Sequence, residues 1–212
     1  MLRRYIKVLR RVPFVKGAYF KLLHFRRLYR LRQQIRNTSP LRVILGAGGT
    51  TQDGWISTDQ DVLDITSSWN WRFLFKVDSI RSLLIEHVLE HLSEEECEIA
   101  LSQCYRYLSS EGTIRIAVPD GYRRDPTYVA EVTPPKDGHK MLFTVDTLVP
   151  LLERLGLQVS PLEYFDSQQQ FRANEWNPID GYIARSKRFD RQQAFQRDNL
   201  FYTSLIVDAK KK

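Results

Sequence analysis

The stretch LRVILGAGGTTQDGWISTDQDVLDI, residues Leu41–Ile65, places a short apolar run directly before a glycine-rich turn. Residues 41–45 have the nearly continuous apolar character of a strand buried in a parallel sheet. The glycines within residues 46–49 can adopt positive φ or let a ligand approach the backbone. A second strand is predicted at Trp55–Thr58, and it ends at Asp59, whose carboxylate could accept both hydroxyl protons of a ribose. This order predicts a nucleotide-type cofactor site where the first strand ends.

Two kinds of cofactor site share this strand, glycine turn and acid. A dinucleotide fingerprint needs a third glycine where Thr51 stands, and its acid follows after about 20 residues. Here Asp59 follows Gly46 by 13 residues. The stretch instead resembles the first signature of class I S-adenosylmethionine-dependent methyltransferases. That resemblance implies that Gly46, Ala47, Gly48 and Asp59 bind S-adenosylmethionine, whereas the alternative is a tight turn that only uses glycine.

The connection between the first two strands is too short for a helix. Only residues 50–54 separate the glycines from Trp55, and a parallel crossover needs roughly a dozen residues. The first crossover helix is therefore expected to be shortened or absent, which leaves part of the sheet bare unless another segment covers it. Residues 62–65 are predicted to form a short third strand. By the family resemblance Asp64 would meet the adenine, and the alternative is a solvated turn residue.

Composition predicts one α/β domain over residues 39–212. The 212-residue chain is 42% hydrophobic and 27% charged, which is ordinary for a globular protein. Cys97 and Cys104 lie in one predicted helix about 10 Å apart along its axis, too far for a disulfide, so they are expected to be core thiols in a reducing compartment. The four histidines show no metal-ligand spacing, and no structural metal is expected.

The N-terminal segment, residues 1–38, carries the positive charge of the protein. Residues 1–40 contain twelve Lys and Arg and no acid, while the rest contains 20 basic and 25 acidic residues, a net charge of −5. Apolar side chains recur at helical spacing between the basic ones, which predicts a basic amphipathic helix. Such a helix could lie on an anionic membrane surface, bind RNA phosphates or pack on its own domain. No run approaches the 18 apolar residues of a membrane span. The protein is expected to be cytoplasmic and peripheral at the membrane, with RNA as the less favoured partner.

A second motif follows the predicted strand at residues 82–85. The sequence Glu-His-Val-Leu-Glu-His, residues 86–91, closely resembles a segment of the small methyltransferase-like proteins grouped with ubiquinone- and menaquinone-methylating enzymes. By that resemblance Glu86 and His87 lie beside the cofactor sulfonium. Glu90 and His91 would order the turn that follows.

The elements after this motif complete an α/β pattern. A helix is predicted to begin at Ser93 with a capping box, and a strand at residues 113–118 is followed by a turn that would place Asp120 toward substrate. Residues 123–137 are predicted to be a polar loop or lid. Strands are predicted at residues 157–165 and, antiparallel, at residues 202–207.

A third motif lies between these strands, where His139-Lys-Met-Leu-Phe-Thr144 again resembles the methyltransferase-like proteins. The helix after it is expected to end near Gly156. Because His139 follows a proline-rich stretch, it is expected to be exposed and able to reach the site.

Taken together, these resemblances imply a Rossmann-like methyltransferase fold with a mostly parallel seven-stranded sheet and an antiparallel C-terminal strand. They also imply methyl transfer from S-adenosylmethionine to a small-molecule, lipid-linked or glycan acceptor. A general base is optional in this chemistry; His139 is the first candidate and Asp120 the second. The alternative is a non-catalytic protein of this fold that binds RNA or a protein partner through its basic segment.

Overall fold

The computed structural model describes residues 13–189 and 204–212. The chain divides between Ser39 and Pro40 into two compact units. The described part of the first unit is one 24-residue helix, α1, Pro13–Arg36. Pro13 begins this helix, where its missing N–H and fixed φ are tolerated, and does not interrupt it. No described helix is both long and apolar enough to cross a membrane.

The second unit is a seven-stranded sheet with four described α-helices. Its elements in chain order are β1 Leu41–Leu45, β2 Ile56–Thr58, α2 Ser68–Leu74, β3 Ile80–Glu86, α3 Glu94–Tyr107, β4 Leu108–Val118, α4 Pro126–Val132, α5 Val145–Arg154, β5 Leu157–Phe165, β6 Phe171–Ala173 and β7 Leu205–Lys211. The strand order is β2-β1-β3-β4-β7-β5-β6. Five strands run in one direction, and β7 and β6 run against them. The predicted α/β fold, with its antiparallel C-terminal strand, is confirmed.

Two strand assignments differ from the sequence prediction. The predicted third strand at residues 62–65 is wrong, because the chain turns there and the amides of Val62 and Leu63 both donate to the carbonyl of Asp59. The seventh strand is instead β6, which lies in a polar stretch and pairs with the edge of β5. Its pairing depends on the neighbouring strand, so its own residues gave no signal for it.

The predicted absence of the first crossover helix is confirmed: residues 46–55 are all described and contain no helix. β1 and β2 nevertheless pair in parallel. The short connection is fixed by local hydrogen bonds, with Ala47 N donating to Thr58 O at 2.9 Å, Thr50 N to Ala47 O at 2.7 Å and Ser57 Oγ to Thr50 O at 2.8 Å.

Side-chain caps lie at the start of all four described helices of the second unit, including Ser67 at α2. Ser93 and Glu96 form the predicted capping box at α3, and Thr144 and Thr147 form one at α5. Residues 123–137, predicted to be a polar loop or lid, contain a helix, because Asp125 accepts from two backbone amides and starts α4. An acceptor at this position satisfies amides that a helix start otherwise leaves unpaired.

One face of the sheet is covered by a segment near the C-terminus. Buried side chains of five strands form a cluster with Ile183, and Trp55 and Trp176 pack against it; the strand residues are Ile44, Leu84, Ala117, Leu162 and Ile206. The described segment after β6, residues 174–189, thus supplies a cover for the sheet where β1 and β2 lack a helix between them. The sequence pattern of residues 174–189 gave no indication of this role.

Candidate functional site

The carboxyl ends of the parallel strands meet at one level. Leu45 is in register with Thr58 of β2 and Ile85 of β3, and Glu86 is in register with Ala117 of β4. The glycine turn, Asp59 and the Glu86–His91 segment therefore all leave the sheet at the same edge. Ligands of open α/β sheets bind at this edge.

The glycines of the turn serve two different purposes. Gly46 has φ of +63°, and a Cβ there would lie 2.5 Å from Cγ2 of Val88, so this position is a packing requirement. Gly48 and Gly49 have φ of +55° and +92°, and a Cβ on either would meet no described atom within 4 Å. The backbone at these two positions is therefore accessible from outside, while Gly46 packs closely on Val88, just after β3.

Asp59 lies beside the open part of the turn. Its Oδ1 accepts from the backbone N–H of Gly48 at 2.8 Å. The carboxylate therefore holds the glycine turn in place, and its second oxygen, Oδ2, can accept from a ligand. The structure thus brings together the predicted residues Gly46, Ala47, Gly48 and Asp59.

The contacts of Asp64 are local. Its Oδ1 accepts from the backbone N–H of Thr66 at 3.0 Å and from Thr66 Oγ1 at 2.7 Å, and its own N–H donates to Asn70 Oδ1 at 2.9 Å. These bonds shape the turn that leads into α2. They match the turn-residue alternative, and a contact with adenine stays a prediction.

Glu86 and His87 are held by the segment that precedes β7. Glu86 Oε1 accepts from the backbone N–H of Arg185 at 3.1 Å. His87 has φ of +55°, and its Nδ1 lies 3.0 Å from Glu90 Oε1 while its Nε2 lies 2.9 Å from Ser204 Oγ. Both ring nitrogens are therefore used within the protein. No sequence signal had connected residues 185 and 204 with this motif.

Asp120 is fully buried, and the expectation that it faces substrate is wrong. The side chain is 0% exposed. Its Oδ2 accepts from Phe165 N at 2.7 Å and its Oδ1 from Tyr122 N at 2.9 Å. Burial raises the pKa of this carboxyl to about 6, although both hydrogen bonds act in the opposite direction. Asp120 joins the end of β4 to the end of β5.

His139 is also buried, at 7% exposure, so the expectation of an exposed histidine is wrong. Its Nδ1 donates to the carbonyl of Val132 at 2.8 Å, and its ring meets that of His91 edge-on at 4.9 Å. The physical reason is that α4 and the turn after it fold next to the imidazole. A role for His139 as a general base remains a prediction.

Arg115 is a buried functional group that sequence reasoning missed. It is 1% exposed and makes two 2.7 Å contacts with the carboxylate of Asp208 on β7. Its Nη1 donates to the carbonyls of Asn177 and Gly181, and its Cζ lies 4.7 Å from the Trp176 ring. An arginine inside an otherwise apolar strand was the signal that could have indicated such a partner.

Glu163 on β5 provides a second anchor for the covering segment. It is buried and accepts from Trp176 Nε1 at 2.9 Å and from Lys187 N at 2.7 Å. A cavity of about 460 Å³ lies between this segment and the β1–β2 connection, lined by Arg42, Trp55, Tyr182 and their neighbours. Because Arg42 and Trp55 are near the amino ends of β1 and β2, this cavity is separate from the glycine turn and Asp59.

Several solved structures are similar to this chain. A SAM-dependent methyltransferase from Archaeoglobus fulgidus superposes with a TM-score of 0.51 at 19% identity, over 89% of this chain and 94% of that one. A SAM-dependent methyltransferase from Thermotoga maritima superposes with a TM-score of 0.48 at 15% identity, over 94% of this chain and 97% of that one. A SAM-dependent methyltransferase from Mesorhizobium loti superposes with a TM-score of 0.46 at 13% identity, over 81% of this chain and 90% of that one. No protein-family model and no curated protein sequence matches the chain.

The likeness to the Archaeoglobus fulgidus protein shows a shared Rossmann-like methyltransferase fold. At this level of identity it identifies the architecture of the second unit.

Proposed function

We propose that residues 40–212 bind S-adenosylmethionine at the carboxyl edge of the sheet and transfer its methyl group to a small-molecule, lipid-linked or glycan acceptor. The observation that carries the proposal is the open backbone at Gly48 and Gly49 next to the carboxylate of Asp59. An accessible glycine turn and a strand-end acid suit the amino acid and ribose parts of this cofactor. The shared methyltransferase fold supports the same assignment.

The residues at this edge have positioning roles. The backbone of residues 46–48 would face the methionine end of the cofactor, and Asp59 Oδ2 would accept from the ribose. The cofactor, when bound, supplies a methyl group that is already activated as a sulfonium. The protein must then hold a nucleophile in line and exclude water. Correct orientation of the reactants can by itself lower the reaction barrier by on the order of 7–11 kcal/mol. Because Asp120 is fully buried, it is not a general base in this proposal.

Replacing Asp59 is expected to weaken binding of S-adenosylhomocysteine, the demethylated cofactor, at least about tenfold, or roughly 1.4 kcal/mol. Asp59→Ala removes the acceptor for both the ribose and Gly48 N–H. Asp59→Asn is the sharper variant, because its amide oxygen can still accept from Gly48 while the second acceptor is lost. Isothermal titration calorimetry of the full chain measures both affinities.

Asp53→Ala is the matched control, since this exposed acid belongs to the same connection, whereas the Gly48 N–H donates to Asp59. It should leave the affinity unchanged. Equal affinity for wild type and Asp59→Asn would remove Asp59 from the cofactor site, and a wild type that binds neither form of the cofactor would favour the non-catalytic alternative.

We also propose that α1 attaches the protein to anionic membrane surfaces. Large apolar side chains on this helix are exposed, among them Leu22 at 50% and Phe25 at 54%, and α1 contains no acidic residue. An apolar surface among Lys and Arg side chains is the composition of helices that lie in the membrane interface. The net negative charge of the remaining sequence indicates that attraction to such a surface comes from this segment.

Charge reversal of Arg26, Arg27 and Arg30 to Glu is expected to weaken binding to phosphatidylserine-containing vesicles by roughly 100-fold or more, because each Lys or Arg near such a surface contributes about 1 kcal/mol. Sedimentation of the full-length protein at low and high salt measures this. Reversal of Lys76, Arg188 and Lys212 in the other unit is the control and should have a much smaller effect. If the wild-type protein does not bind vesicles but binds RNA in a salt-sensitive way, the partner of α1 is RNA and the membrane proposal is wrong.

A further inference from the structure

The turn after β3 and the segment before α5 bring two histidines and a glutamate together. Glu90, His91 and His139 each offer a ligand atom, and these atoms lie within 4.8 Å of one another. The two segments are also joined through the backbone, because the carbonyl of Glu90 accepts from Lys140 N at 2.7 Å and Met141 N at 3.1 Å. The cluster is therefore held by main-chain hydrogen bonds and not only by its side chains.

Glu90 is the unusual member of this cluster. It is 1% exposed, and its Oε2 is buried without a hydrogen-bond partner among the described residues. Its other oxygen, Oε1, contacts Nδ1 of His87 at 3.0 Å. A buried carboxylate oxygen without a partner is costly, and such atoms are rare unless an ion or water completes them. The unpaired oxygen belongs to the same cluster as two imidazoles.

The hydrogen bonds around the cluster orient its side chains and leave one nitrogen of each imidazole with a lone pair for a cation. Nδ1 of His139 donates to Val132 O at 2.8 Å, which leaves the lone pair on Nε2. Nδ1 of His91 lies 3.4 Å from Gly138 O, which likewise leaves Nε2. Metal-binding histidines are usually oriented by such a bond from the second ring nitrogen, and metal-binding carboxylates by a bond to the second oxygen. His87, in turn held by Ser204 Oγ at 2.9 Å, gives Glu90 that bond.

We propose that Glu90 Oε2, His91 Nε2 and His139 Nε2 bind a divalent transition metal of the zinc type. Two imidazoles and a carboxylate are a common zinc donor set, and they leave a fourth position for water. Ligand distances of about 2.0 Å place tetrahedral donors roughly 3.3 Å apart, which is closer than the 4.8 Å within which the three residues bring one ligand atom each, so the side chains must move together to bind the ion. The exposed side chain of His91 can make this adjustment.

This donor set favours zinc over manganese, iron(II), magnesium and calcium. Imidazole nitrogens bind zinc more tightly than manganese or iron(II) in the usual order of divalent metals. Magnesium and calcium prefer sites built from oxygen ligands, and this cluster offers only one carboxylate. The metal would tie the Glu90–His91 turn to His139 and would occupy the ring nitrogen that a general base needs, so it is an alternative to that predicted role of His139. It does not use the glycine turn or Asp59, so the inference does not depend on the proposed cofactor binding.

The test is a zinc titration of the full-length protein after chelator treatment, with a chromophoric chelator as competitor. One zinc per chain is expected, and cobalt(II) should give the intense visible spectrum of a tetrahedral site. His91→Ala is expected to weaken binding at least about 100-fold, since losing even an outer partner of a metal ligand costs 10–100-fold. Because His91 is exposed, this variant should fold normally.

Glu90→Gln tests the buried ligand. The amide keeps an oxygen for His87 but replaces Oε2 by a nitrogen that cannot bind a metal, so it should weaken zinc binding by a similar factor. His24→Ala, an exposed histidine on α1, is the control and should leave the affinity unchanged. Magnesium should not compete. A wild type that binds no zinc at micromolar concentrations, or zinc affinity that survives His91→Ala, would overturn the proposal.

Discussion

Replacing Arg115 with methionine is expected to lower the free energy of unfolding by about 3–5 kcal/mol, because removing one partner of a buried ion pair leaves the other uncompensated. Asp208 would lose both of its 2.7 Å contacts, and the carbonyls of Asn177 and Gly181 would lose their donor. The Asp208 side chain is 22% exposed, so water offsets part of this loss and the lower end of the range is expected. Urea denaturation followed by circular dichroism measures the change.

One variant separates the geometry of Arg115 from its charge, and a variant of another arginine serves as the control. Arg115→Lys keeps the charge but cannot make paired contacts with the carboxylate while also bonding two carbonyls, so it should retain only part of the stability. Arg154→Met removes an exposed ion pair whose atoms are 3.9 Å apart, and pairs of this kind contribute about 0–1 kcal/mol. If Arg115→Met costs no more than Arg154→Met, then Arg115 does not hold the covering segment on the sheet.

The stability contribution of Asp120 is expected to decline as the pH rises. The pKa of this carboxyl is raised from 3.8 to about 6 by burial, so the folded state binds its proton more tightly than the unfolded state. The contribution is fully present below pH 3.8 and is lost as the pH rises through 6. A difference of about two pKa units corresponds to roughly 3 kcal/mol.

Asp120→Asn removes this titration and should be destabilising at every pH, because its amide nitrogen would face a backbone N–H that now donates to Asp120. The destabilisation relative to wild type should be larger at pH 4 than at pH 7 by about 2 kcal/mol. Denaturant unfolding at both pH values measures it. A destabilisation that is the same at both pH values would contradict the burial effect on Asp120.

Asp166→Asn is the control, because the pKa of Asp166 is shifted in the direction opposite to that of Asp120. Hydrogen bonds from Gln170 and Arg172 hold the pKa of Asp166 below its usual value. A carboxyl with a lowered pKa contributes stability that is present at neutral pH and lost as the pH falls. Because pH 4 and pH 7 both lie above the ordinary pKa of 3.8, replacing Asp166 should have nearly the same effect at these two pH values and should become less destabilising only below pH 3.8, unlike Asp120.

The sequence by itself determined the elements whose signal is local. The apolar run at β1, the capping box at Ser93 and the strand at Leu157–Phe165 all lie where they were predicted. So does the absence of a helix between β1 and β2, because chain length alone forbids it. These features depend on the burial pattern, the caps and the reach of residues that are close together in the chain, so no distant partner was needed to predict them.

Only the tertiary structure decided which polar side chains are buried and with what partners. Asp120 and His139 looked like exposed site residues, yet a backbone amide of β5 and the carbonyl of Val132 hold them inside. Arg115 meets Asp208 only because β4 and β7 pair. Glu90 and His139 likewise approach each other only in the folded chain. The physical reason is that burial and hydrogen-bond partners depend on segments far apart in sequence, and no local pattern in the chain encodes which of them meet.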